Sequence, residues 1–262
     1  VLATLFSLNL FAAKKSIPAL LKNRDTLIEA QYQNSIRLLI NNLSPVDGMK
    51  GAVIAAPSKA HPDYYYNWVR DAALTAESLI LLYPQIPARS PVKMAVKNFL
   101  LDYVDYNLYI QQQSKKVSNL GEPKFYVNGL LFTGPWGRPQ NDGPALRSST
   151  SFLILNLAAQ EKWPEAGSLL SKMYVSDLGS SSLIKDDLEF VSHHWMDANF
   201  DLWEEVNGNH FYTLMTQRRA LYYGAYIANA MKDTGASQYY QSELQKINSR
   251  LENFWYPSQG YV

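Results

Sequence analysis

From residue 22 to residue 254 the apolar residues recur at three- and four-residue spacing in one stretch after another. No run alternates apolar and polar with period two for long enough to make a strand. The spacing predicts helices over 22–43, 67–82, 91–113, 145–161, 165–173, 182–195, 210–232 and 238–254, an all-α chain. Prolines punctuate them: Pro45 and Pro84 follow helix ends, and Pro91 and Pro144 stand where helices begin. The 210–232 stretch is apolar to neutral nearly all round, so it should be buried on most sides. Asp233-Thr234-Gly235 breaks it before the last, polar-faced helix.

The connections are as informative as the helices. Residues 114–143 hold Gly121, Pro123, Gly129, Gly134, Pro135, Gly137, Pro139 and Gly143, too many breakers for a regular element, yet the segment is too aromatic for disorder. Long connections of this kind in a domain usually carry function. Polar and aromatic residues gather in the loops that precede helices. A toroid of helix hairpins would collect those loops at one end, and it is the architecture preferred over a four-helix bundle.

With 262 residues, 47% of them hydrophobic, the chain can bury one large core or two small ones. A net charge of +1 and no Lys/Arg run longer than two exclude the electrostatic footprint of a nucleic-acid binder and favour a neutral ligand. Several of the 18 Tyr and 6 Trp lie in the loops, where amphipathic rings suit stacking on a ligand with apolar and hydroxylated faces. The absence of Cys excludes a disulfide framework, a thiolate metal site and a Cys nucleophile. His193, His194 and His210 find no third ligand at sensible spacing, so no metal is expected. Residues 1–13 (VLATLFSLNLFAA), followed by Lys14-Lys15, are too short to span a bilayer and resemble the end of a truncated secretory signal. An ordinary apolar helix turn is the alternative. The expected division is therefore a signal-like 1–15 and a domain over 16–262, secreted on the first reading and intracellular on the second.

The stretch 200–208 (FDLWEEVNG) places Asp201, Glu204 and Glu205 within five residues of one another, beside Trp203. Like charges so close raise at least one pKa, so one carboxyl can stay protonated near neutrality while a neighbour is ionised, the condition for general acid catalysis. Asp201 and Glu204 also have the spacing of a helix capping box. A cap explains neither Trp203 nor Glu205, and Asn207-Gly208 would interrupt a helix within a turn. Elsewhere, Trp136 reads either as a ligand wall or as a plug over the core, and Arg70-Asp71 as a site pair or a plain surface ion pair.

Three segments, HPDYYYNWVRDAAL (61–74), GEPKFYVNGLLFTGPWGRPQNDGPALR (121–147) and FDLWEEVNGNHFYT (200–213), together resemble the glucoamylases, the inverting exo-acting α-glucosidases of glycoside hydrolase family 15. The resemblance covers roughly residues 52–211. It implies an (α/α)6 barrel, of which the N-terminal half or slightly more would be present, with a substrate pocket at the loop end. Residue by residue, Glu204 matches the general acid, Asp201 a carboxylate supporting the site, and Glu205 a carboxylate binding the next sugar. Tyr64, Trp68, Arg70 and Asp71 match the lining of the innermost subsite. Trp136 matches an aromatic wall beside the acid, Arg138 and Gln140 share its segment, and Trp195 matches a further sugar-contacting Trp. Pro135, Asn128 and Phe132 depart from the commoner residues of the family.

What the resemblance implies is hydrolysis of terminal α-1,4-linked glucose from starch, glycogen or maltooligosaccharides. It further implies no metal or organic cofactor, no nucleic acid, no membrane span, and a monomer when complete. Inversion needs an acid and an opposed base about 6.5–9.5 Å apart. Adjacent Glu204 and Glu205 do not make that pair, and in the family the base comes from a later loop. The rival readings are a non-catalytic glucan-binding domain and a helical regulatory or scaffold domain on the same barrel.

Overall fold

The computed structural model describes residues 24–260, so the signal-like segment lies outside the described residues. The helices are α1 (Arg24–Asn41), α2 (Val69–Leu82), α3 (Pro91–Lys116), α4 (Asp142–Gln160), α5 (Ala166–Met173), α6 (Leu183–His194), α7 (Phe211–Ala230) and α8 (Thr234–Leu251). Each lies where the apolar periodicity predicts one, and the ends follow local chemistry. Ser90 accepts a hydrogen bond from the Val92 N–H, with Pro91 in the first turn, and so starts α3.

The last helix departs from its predicted start. Asp233 does break α7, but its side chain also accepts the Ala236 N–H and opens α8 at Thr234 instead of at 238. Four two-residue strands, too short to leave a periodic trace, were not predicted. They are β1 (Asn67–Trp68) with β2 (Lys124–Phe125), and β3 (Asn199–Phe200) with β4 (Asn207–Gly208), both pairs antiparallel.

Helices α2, α4 and α7 lie side by side, with α4 central, and α3, α6 and α8 return behind them. Alternate helices thus run antiparallel, and α2, α4 and α7 all begin at the same end. The apolar core between the two layers includes Leu79, Phe99, Leu100, Tyr103, Ile154, Leu188, Leu221 and Ile247, each buried. Because α4 is surrounded, even its polar first half is buried, from Asp142 through Ser151. Ser148 and Ser149 satisfy their hydroxyls on the Ala145 carbonyl, which lets small polar residues sit inside.

A fully buried ion pair crosses the layers. Arg147 of α4 forms a two-pronged pair with Asp187 of α6 at 2.6 and 2.8 Å, and both side chains are wholly inaccessible to water. Gln111 of α3 donates to the same carboxylate at 2.9 Å and to the Leu183 carbonyl.

The connections differ at the two ends. Segments 42–66, 117–141 and 195–210 are long and lie where α2, α4 and α7 begin. Segments 83–90, 161–165 and 231–233, at the other end, are short. The long loops are seated on the helices: Gly51, at φ +84°, lies so close to α3 that a Cβ would stand 2.1 Å from the Asp102 carbonyl oxygen.

Candidate active site

The β1–β2 pair sets Trp68 directly opposite Lys124, with the two side chains on one face. Trp68 and Trp136 tilt against each other at 5.7 Å between ring centres. Both turn their indole N–H to the same atom. Glu204 Oε1 accepts Trp68 Nε1 at 3.1 Å, Trp136 Nε1 at 2.7 Å and Gln140 Nε2 at 2.9 Å. Three donors on one oxygen fix the plane of the carboxyl and leave Oε2 as the atom that can carry a proton.

Gln140 is itself oriented. Its amide oxygen accepts Arg70 Nη1 at 2.9 Å, and the same nitrogen reaches Asp142 at 3.0 Å. A polar chain therefore runs Asp142, Arg70, Gln140, Glu204 across the entrances of α4 and α2. Arg70 Nη2 also donates to the Leu202 carbonyl at 3.4 Å, tying α2 to the acidic loop. Asp71 stands 3.8 Å from Arg70 and is half-exposed. Partial desolvation at the entrance of α2 pushes its carboxyl above the usual range against the pull of Arg70, with the charges of Asp142 and Glu204 adding to the rise.

Asp201 behaves otherwise than the sequence suggested. Its Oδ1 accepts the backbone N–H groups of Glu205 and Val206, both at 2.9 Å. The bond from Val206 is the main reason its carboxyl lies below the usual range, so mutual repulsion of three acids does not govern this residue. The capping box is also absent: 200–208 forms a β3–β4 hairpin, with Glu204 at φ +65° in its turn.

A folded-state pKa below the unfolded value means the stabilising contribution is present above the unfolded value and is lost as pH falls through the folded one. The side-chain carboxyl ¹³C resonance of Asp201 should hold steady above roughly pH 4, near the ordinary Asp value, and move mainly below it. Movement already at pH 5–6 would show that Asp201 does not hold the turn.

Tyr64 is 45% exposed and edge-on to Trp68, and the side chain of Glu205 is exposed, so both border the cluster from the solvent side. Two predicted residues turn their polar groups to protein partners. Trp195 is buried at the end of α6 among core residues, and its Nε1 is satisfied by Glu243 of α8 at 2.9 Å. Arg138 spends its donors on Glu122 and on the Phe132 and Gly134 carbonyls, pinning the loop that carries Trp136.

Asp142, Glu122 and Lys124 were missed. For Asp142 the signal was its place just before Pro144, where a carboxylate suits a helix start. Among the described residues no group of acids and histidines could hold a metal ion, and no helix is long and apolar enough to cross a membrane.

The profile of glycosyl hydrolases family 15 matches residues 30–262. A glucoamylase of Blastobotrys adeninivorans is 39% identical over 218 residues, which cover 83% of this chain and 35% of that protein. Two solved structures share the helical arrangement. The glucoamylase from Saccharomycopsis fibuligera has a TM-score of 0.72 at 32% identity, over 87% of this chain and 49% of that one. The family 15 glucoamylase from Hypocrea jecorina has a TM-score of 0.74 at 30% identity, over 91% and 40%. The two-layered helices are thus part of an (α/α)6 barrel, and the chain spans about a third of the length of the curated relative it matches.

Proposed function

Because the chain belongs to glycosyl hydrolases family 15, we propose that it supplies the acid side of an inverting glucan hydrolase that releases glucose from the non-reducing ends of starch-like α-1,4 chains. The observation that carries this reading is the convergence of three N–H donors on Glu204 Oε1. It suits an acid that must hold its proton on Oε2 in one direction and be stabilised as a carboxylate once the proton has gone.

In the proposed step Glu204 passes that proton to the glycosidic oxygen as the bond to C1 breaks. Water attacks C1 from the opposite face, activated by a second carboxylate that we do not assign among the described residues. Asp71, half-exposed beside Arg70, is suited to accept bonds from the hydroxyls of the terminal glucose. Glu205 is suited to the next sugar, and Tyr64, Trp68 and Trp136 offer rings to its apolar faces. Arg70, Gln140 and Arg138 position these groups, and Asp201 holds the turn that presents Glu204. Starch, glycogen and maltooligosaccharides are the proposed substrates, and secretion remains part of the proposal through residues 1–15.

The test is the anomer first formed from maltoheptaose, followed by proton NMR. β-Glucose is expected. α-Glucose would overturn inversion, and binding of the oligosaccharide without glucose release would favour a glucan-binding domain.

A further inference from the structure

Lys124 is a lysine where none is needed for packing. It is 3% exposed, and its ammonium makes no hydrogen bond or ion pair to a described residue. Four rings enclose it instead: Nζ lies 3.5 Å from the centre of Trp136, 4.0 Å from Tyr66, 4.1 Å from Phe132 and 4.6 Å from Trp68. A buried ammonium without hydrogen-bonded partners is costly, and the negative faces of aromatic rings offset that cost in part. Burial lowers its pKa, while Glu204 and Asp63 favour its charge and Arg138 opposes it. A Met or Leu would fill the same space without the penalty, so the charge calls for an explanation.

Two of the four rings supply the explanation, since Trp68 and Trp136 also donate to Glu204 Oε1. Resting on the reading of Glu204 as the acid, we propose that Lys124 is a positioning residue: its ammonium clamps the two indoles together, and they in turn hold the acid. The cation draws both ring faces toward itself, which fixes the direction of their N–H edges. It also withdraws electron density from the indoles and makes each N–H a stronger donor to the carboxylate. The contacts of the Lys124 ammonium in the structure are with these rings. Its effect on the reaction passes through Glu204.

The experiment compares Lys124→Met and Lys124→Arg with the parent. Lys124→Met is expected to lower kcat about tenfold while KM changes less than about twofold, as for an interaction felt in the transition state. In ¹H–¹⁵N spectra without substrate the indole N–H resonances of Trp68 and Trp136 should both move in this variant. Lys124→Arg keeps a charge that can stack on rings and should restore most of both.

A kcat within about twofold of the parent, or unmoved indole resonances, would overturn the proposal, as would a change confined to KM. Should Lys124→Met not fold, Phe132→Leu opens one wall of the cage and leaves both indole donors in place. It should give the same split at smaller size, and an unchanged kcat would count against the clamp. The indole resonances need no turnover, so a parent that cleaves no glucan would sink the functional reading while leaving the clamp to be decided by NMR.

Discussion

Replacing Asp187 by Ala is expected to destabilise the fold by about 3–5 kcal/mol, because it strands the Arg147 guanidinium as a buried charge without its counter-ion. The parent pair is wholly inaccessible, so no water can take over the lost contacts. Gln111 retains the Leu183 carbonyl as an acceptor and does not add to the damage. At roughly 2–4 °C per kcal/mol for a domain near this size, the melting temperature should fall by roughly 6–20 °C.

Removing both charges is a different matter. Arg147→Met with Asp187→Leu leaves no orphan and should recover more than half of the loss. Urea titrations followed by circular dichroism check both variants. A single variant within about 1 kcal/mol of the parent would mean that the pair does not tie α4 to α6.

Glu204→Gln is expected to lower kcat by about 10²–10⁴, the contribution of a positioned general acid, with KM and stability close to the parent's. The amide oxygen can still accept from Trp68, Trp136 and Gln140, so the hydrogen-bond cluster survives. The amide nitrogen in place of Oε2 has no proton to give at neutral pH. Glucose release from soluble starch, measured for parent and variant side by side, checks it. Turnover retained within about tenfold would remove Glu204 from the role of acid.

The helices were legible because core-facing residues such as Leu79, Ile154 and Leu221 must recur with the helical period. Glu204 was legible as a candidate from the acids crowded beside it, and Trp68, Trp136 and Gln140 were placed with it only by the resemblance to the glucoamylases. The sequence could not show which way each side chain turns. Asp201 looked like a partner in charge repulsion, yet its carboxylate serves the backbone of its own turn. Trp195 looked like a sugar contact, yet its partner is Glu243, distant in sequence. Lys124, in a Gly/Pro-rich connection, was not singled out, and only the pairing of two-residue strands brings it beside Trp68. Such non-local contacts follow from topology and leave no periodic trace.

The division between long loops at one end and short turns at the other has a practical side. Lys162 and Lys232 are exposed in the short turns after α4 and α7. With 19 residues in α4 and 20 in α7, these positions lie roughly 28–30 Å from the helix entrances at 1.5 Å per residue. The chain contains no cysteine. A single Cys at position 162 or 232 would therefore be a unique handle, through which the protein could be immobilised or labelled with its loop end facing free solution.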